Sequence, residues 1–121
     1  MTESAWSSTG LEVLALKDFS EGRLNRPGTY VVCFGAAWCR PTRRFMPQFV
    51  QRKGRVPGTL AIADITDRND PLWDLFQIRI TPSIIAFRDG SIQSRLDGRR
   101  FFGLTPADLD KLQQSLGGSP T

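Results

Sequence analysis

The run Tyr30-Val31-Val32-Cys33-Phe34 carries no charge and is built from β-branched and aromatic side chains, as suits a strand buried on both faces of a sheet. Gly35-Ala36-Ala37 then offers little bulk. Trp38-Cys39-Arg40-Pro41 reads as the start of a helix, because Pro41 falls in the first turn, where its missing N–H costs nothing. The helix is expected to run from Arg40 to about Lys53, with Phe45, Met46, Phe49 and Val50 as its apolar stripe and Pro47 kinking its axis. Gly54 and Pro57-Gly58 end it, and Thr59 to Ile65 forms the next strand. Two parallel strands joined by a helical crossover make a right-handed βαβ unit, which sets the class as α/β. At 121 residues the chain has room for one domain with a working core.

This arrangement places Cys39 at a helix N-terminus, where unpaired N–H groups and the helix dipole favour a thiolate. An ordinary cysteine has a pKa of about 8.5, whereas one at a helix start can fall to roughly 3.5–7.5. Arg40, Arg43 and Arg44 add positive charge within one turn, and Thr42 can present a hydroxyl to the sulfur. The opposing reading is an inert, half-buried cysteine. With no histidine and only two cysteines, the chain lacks the ligands of a usual zinc site and cannot form a Cys-His pair, so any enzymatic chemistry is thiol chemistry.

The remaining segments fit around this unit. Residues 1–10 read as a flexible N-terminal arm with Trp6 as its anchor, residues 11–116 as the folded domain, and residues 117–121 as a flexible tail. Leu11 to Leu16 is expected to be a first strand, and Asp18 to cap a short helix reaching about Leu24. After the polar loop Asp67 to Asp70, a short helix from Asp70-Pro71 should turn Leu72, Trp73, Leu75 and Phe76 inward. Pro82 stands immediately before the uncharged strand Ser83 to Phe87, an unusual place for a residue that cannot donate to a sheet, and a cis Thr81–Pro82 bond would account for it. Arg88-Asp89-Gly90-Ser91 is a hairpin turn, and Ile92 to Leu96 alternates like an edge strand. Thr105, Pro106 and Asp108 open a last helix with Leu109, Leu112 and Leu116 as its buried stripe.

Sixteen basic and 12 acidic residues give a net charge of +4. The arginines are dispersed, without the interleaved aromatics or module of a nucleic-acid binder, so no nucleic-acid partner is expected. Those near Cys39 read as tuning the thiol or attracting acidic partners, or as an ordinary solvated helix face. No run approaches a membrane span, and the polar start shows no secretory signal, so a cytoplasmic location without membrane association is expected.

Trp38-Cys39-Arg40-Pro41-Thr42 resembles the Trp-Cys-x-Pro-Cys motif of the thioredoxin family, and Ile80-Thr81-Pro82 with the strand and Asp89-Gly90 turn after it resembles that family's cis-proline segment. Pro47, eight residues after Cys39, and Gly98, sixteen after Pro82, match as well, in register from about Leu11 to Leu116. The resemblance implies a thioredoxin fold, a mixed sheet of four to five strands flanked by helices. It implies a cis proline before the antiparallel hairpin, and a substrate groove formed by Trp38, Arg40, Pro41, Thr81, Pro82 and Gly98 around Cys39. Three departures matter: Thr42 stands where the second, resolving cysteine would be, Cys33 where a buried aspartate is common, and Gly35 where an aromatic is frequent.

Cys39, assisted by Thr42, is therefore expected to act as a monothiol, forming mixed disulfides with protein thiols or glutathione that an external thiol releases. No metal or bound cofactor is expected, and glutathione enters only as a co-substrate. Cys33 reads as a core residue buried behind the site; its pairing with Cys39, or an iron–sulfur cluster shared through Cys39 and glutathione, is a lesser alternative. The alternative from another class is a non-catalytic binding module or adaptor that keeps the groove and does not turn over.

Overall fold

The structure is a computed structural model and describes residues 6–100 and 102–117. Seven strands occur among these residues: β1 (Glu12–Leu14), β2 (Phe19–Ser20), β3 (Arg23–Leu24), β4 (Thr29–Gly35), β5 (Thr59–Asp64), β6 (Ser83–Arg88) and β7 (Ser91–Leu96). Three α-helices accompany them: α1 (Arg40–Gln51), α2 (Leu72–Leu75) and α3 (Pro106–Ser115). The main sheet has five strands in the order β1-β5-β4-β6-β7; β1, β5 and β4 are parallel, and β6 and β7 run antiparallel to their neighbours. This is the mixed, helix-flanked sheet of a thioredoxin fold.

Strand β4, the uncharged run that leads to Cys39, lies at the centre of that sheet. Val31, Val32, Cys33 and Phe34 are each 0% exposed, so β4 is buried on both faces as its composition requires. Alternation sends Val31 and Cys33 into a cluster with Phe45, Met46 and Phe49 of α1 and Leu109 and Leu112 of α3. Val32 and Phe34 enter the opposite cluster, where Phe19, Phe34, Phe76 and Phe87 meet edge-on or tilted at centroid distances of 5.2–6.0 Å. Each such buried side chain contributes roughly 1.5–3 kcal/mol of transfer free energy. The centre of the sheet, and hence the strand end leading to Cys39, is thereby held from both sides.

Several expectations are corrected. No helix runs from Asp18 to Leu24; β2 and β3 form a hairpin there. Glu21 and Gly22 both take positive φ (51° and 77°), as a two-residue hairpin turn demands. The Asp18 carboxylate turns back to accept from the Ala15 N–H at 2.9 Å and from Arg26 at 2.8 Å, so it caps nothing ahead of it. The first strand is shorter than Leu11 to Leu16, because Leu16 begins a 3-10 turn (Leu16–Asp18) and is 41% exposed. In α2, Leu72 and Phe76 face inward one turn apart, which leaves Leu75 exposed rather than buried. Helix α1 ends at Gln51.

The capping box of α3 is present, with the Thr105 N–H donating to Asp108 Oδ2 at 2.8 Å and the Asp108 N–H to Thr105 Oγ1 at 3.4 Å. Trp6 is buried against the α1 side of the core, so the arm is docked from there onward; residues 1–5 and 118–121 of the expected arm and tail lie outside the described residues. The Thr81–Pro82 peptide bond is cis. No helix among the described residues is long and apolar enough to cross a membrane.

Candidate functional site

Strand β4 ends at Gly35, and the chain makes a tight turn, Cys39 N–H to Ala36 O at 3.1 Å, before entering α1. Cys39 is the N-cap of α1, with extended backbone (φ −90°, ψ 117°) and its carbonyl already accepting from the Arg43 N–H at 3.1 Å. Arg43 also donates to the Ala37 carbonyl at 2.9 Å, tying the turn to the helix. The sulfur is thus presented, half-buried, at the positive end of a twelve-residue helix.

In its protonated form Cys39 Sγ donates to the Thr81 carbonyl oxygen at 3.3 Å, which brings the two distant motifs together across 42 residues. Ionisation gives up that bond. Burial pushes the Cys39 pKa up, but the Thr42 hydroxyl, the Thr81 side chain, the Thr42 backbone N–H and the Arg43 charge pull it down by more, and the net value lies below that of an ordinary thiol. Thr42 is 0% exposed and its Oγ1 has no well-aligned hydrogen-bond partner, so its hydroxyl favours the ionised sulfur by proximity rather than through a formed bond.

Gly35, whose replacement of an aromatic stood out in the sequence, is explained by Thr42. A Cβ on Gly35 would lie 2.7 Å from Thr42 Cγ2, so the bare backbone at the strand end makes room for the threonine methyl. Cys33 is fully buried, opposite Ile62 on one neighbouring strand and Ile84 on the other, and burial alone pushes its pKa far up. Neither cysteine is in a disulfide.

A cavity opens beside Cys39, lined by Trp38, Pro41, Ile80 and Thr81 together with Trp73 and the arginines Arg68, Arg79, Arg99 and Arg100. Three of the groove residues expected from sequence, Trp38, Pro41 and Thr81, therefore surround the sulfur as a group. Pro82 and Gly98 stand behind this wall. Gly98 donates its N–H to Ser83 Oγ at 3.1 Å, and a Cβ there would lie 2.3 Å from the Pro82 carbonyl oxygen. Arg40 is exposed at the first turn of α1 and does not line the cavity.

Sequence reasoning missed the far wall. Trp38 is 41% exposed yet fixed, its indole N–H donating to the Thr66 carbonyl at 2.8 Å and its ring stacked on Trp73 at 6.1 Å and 11°. The Arg68 guanidinium lies over the Trp38 ring at 3.9 Å. Thr66 accepts from the Ala37 N–H at 3.0 Å and donates to Asp64 at 2.6 Å, so the loop after β5 also holds the turn before Cys39. Gly103, with φ +63°, packs its bare backbone against Pro41 and Pro82 and has no room for a side chain there. Among the described residues no group of three or more His, Cys, Asp or Glu is placed to hold a metal ion.

A family model described as thioredoxin matches residues 11–105. Protein disulfide-isomerase A3 of Gallus gallus is 30% identical over 98 residues, 80% of this chain and 19% of that protein. A thioredoxin domain-containing protein of Theileria parva is 32% identical over 74 residues, 60% of this chain and 34% of that protein. The chain thus spans about a fifth and a third of these curated relatives. Among solved structures, mitochondrial thioredoxin 3 of Saccharomyces cerevisiae superposes with a TM-score of 0.70 at 20% identity, covering 91% of this chain and 99% of that one.

Proposed function

The chain belongs to the thioredoxin family, and on that footing we propose that it performs thiol–disulfide exchange with Cys39 as its single attacking sulfur. Its similarity to a protein disulfide-isomerase supports a redox role on protein thiols and disulfides in general. The observation that carries the finer reading is the pairing of a half-buried sulfur of lowered pKa at the head of α1 with a fully buried Thr42 one turn on.

In the forward step the Cys39 thiolate attacks one sulfur of a partner disulfide. A new S–S bond forms, the old one breaks, and the departing thiolate takes a proton from water. Release of the bound partner needs a second thiolate to attack the mixed disulfide. The Thr42 hydroxyl is not a competent nucleophile for that exchange at neutral pH, and the Cys33 thiol is protonated and enclosed. An external thiol, with glutathione the natural small-molecule case, therefore completes the cycle; a reducing compartment such as the cytoplasm would supply it.

Incubation with glutathione disulfide, followed by mass spectrometry without reduction, tests this. A single glutathione adduct on Cys39 is expected, stable until a thiol is added, absent in Cys39→Ser and retained in Cys33→Ser. Brisk turnover of insulin through a thioredoxin reductase without any added small thiol would contradict the monothiol cycle. A Cys39 that forms no adduct would leave the adaptor reading in its place.

A further inference from the structure

The cavity beside Cys39 has a charge pattern that thiol exchange by itself does not require. Four guanidinium groups, those of Arg68, Arg79, Arg99 and Arg100, line it, and among the described residues no carboxylate does. Arg99 is partly neutralised by Asp108 at 2.8 Å, whereas Arg68 and Arg79 are exposed and have no carboxylate partner among the described residues. The Arg68 charge is instead held over Trp38, and the stacked Trp38–Trp73 pair provides an apolar floor next to the sulfur. Of the acids nearby, Asp97 pairs with Arg95 at 2.6 Å, and Asp67 and Asp70 accept from the Asn69 and Leu72 N–H groups of their own loop rather than facing the cavity lining.

We infer that this cavity selects polypeptide partners carrying carboxylates within a few residues of the cysteine that reacts with Cys39. The inference deepens the exchange reading above and rests on it for the covalent step. Convergent positive charge over a partly apolar surface raises the encounter rate and fixes the orientation of an acidic segment, and repels a basic one. Guanidinium groups suit this because they pair with carboxylates in a planar, two-bond geometry.

The test uses three short peptides of one length, each with a single cysteine joined to 2-thiopyridine and flanked by Asp/Glu, by Asn/Gln or by Lys. The Cys39 thiolate attacks the peptide sulfur, the bond to the thiopyridine sulfur breaks, and the departing thiolate takes a proton from water to become the neutral thione, which is read by absorbance. At low salt the acidic peptide should react about ten-fold faster than the neutral one and the lysine peptide slowest, with the spread narrowing as salt rises. In the Arg68→Gln/Arg79→Gln variant the acidic-to-neutral ratio should fall several-fold. Arg55→Gln, the same charge change past the far end of α1, should keep the ratio. Equal rates for the three peptides, or a ratio that the double variant does not move, would overturn the inference.

Binding of thiol-free acidic and neutral peptides to Cys39→Ser, followed by fluorescence anisotropy, separates the two layers. Acidic preference in binding with an unreactive Cys39 would remove the exchange reading and keep the cavity assignment. Ready reaction with every peptide and no acidic preference in binding would do the reverse.

Discussion

Cys33 and Cys39 are six residues apart in one chain and carry the same sulfur, yet the fold gives them opposite chemistry. Cys33 sits in the middle of β4 with hydrocarbon on all sides, so nothing offsets the cost of a buried charge, and its thiol stays protonated. Cys39 is only half-buried, and the Thr42 hydroxyl, the Thr81 side chain, the Thr42 backbone N–H and Arg43 together outweigh its desolvation. The opposite pKa shifts are a property of position: one residue is held by the strand's packing, the other by the helix start that the strand delivers.

The largest effect should come from removing the sulfur at the helix start. Cys39→Ser should abolish both alkylation of the native protein near neutral pH and mixed-disulfide formation, while Cys33 should react with an alkylating reagent only once the chain is unfolded. Rapid labelling of Cys33 in the native protein would erase the contrast. Next, Thr42→Cys should add a thiol where the hydroxyl now faces Cys39. Adducts on Cys39 should then be released without glutathione, and the oxidised variant should weigh two hydrogens less in non-reducing mass spectrometry. Persistence of the adduct in that variant would mean that something other than the missing thiol holds it.

Packing at the strand end gives a smaller, quantitative test. Gly35→Ala should lower stability in urea unfolding by about 1–3 kcal/mol, the usual range for overpacking, because its methyl meets Thr42 Cγ2 at 2.7 Å. Thr42→Ser removes that methyl, so the double variant should recover most of the loss, and the non-additivity measures the contact. Strict additivity would deny that Gly35 makes room for Thr42.

The smallest effect is in the pH dependence of stability, where the two cysteines should act with opposite signs. Cys33 has a raised pKa in the folded state, so its contribution is intact below the ordinary thiol range and is lost as pH rises through and beyond it. Cys39 has a lowered pKa, so its contribution is present above the ordinary thiol pKa and lost as pH falls through its folded value. Unfolding curves from neutral to alkaline pH should therefore show a loss in the native chain that is reduced in Cys33→Val. An unchanged slope in that variant would assign the loss to other groups.

Much of this was legible in the residues. The uncharged run before Gly35, the proline in the first turn of α1 and the Thr105–Asp108 box each depend on local chemistry, and each produced the element expected of it. The β2–β3 hairpin was not legible, because Glu21 adopts a positive φ that its residue type rarely takes, and Asp18, an ordinary capping residue, bonds backwards to Ala15 and sideways to Arg26. Around Cys39, the motif residues could be named from their resemblance to a family. The Trp73 and Arg68 wall could not, since a polar loop and a four-residue helix reach the sulfur only through the β5-to-β6 connection. Gly35 stood out as a departure, and its reason appeared only with the Thr42 methyl lying against it.

The decisive measurement is a titration of Cys39 in the folded Cys33→Ser protein, by thiolate absorbance and by the pH dependence of its alkylation rate. The account predicts that both report one ionisation below the range of an ordinary thiol, shifting upward in Thr42→Val as the hydroxyl is lost. An ionisation at or above that of a free cysteine, unmoved by Thr42→Val, would contradict it.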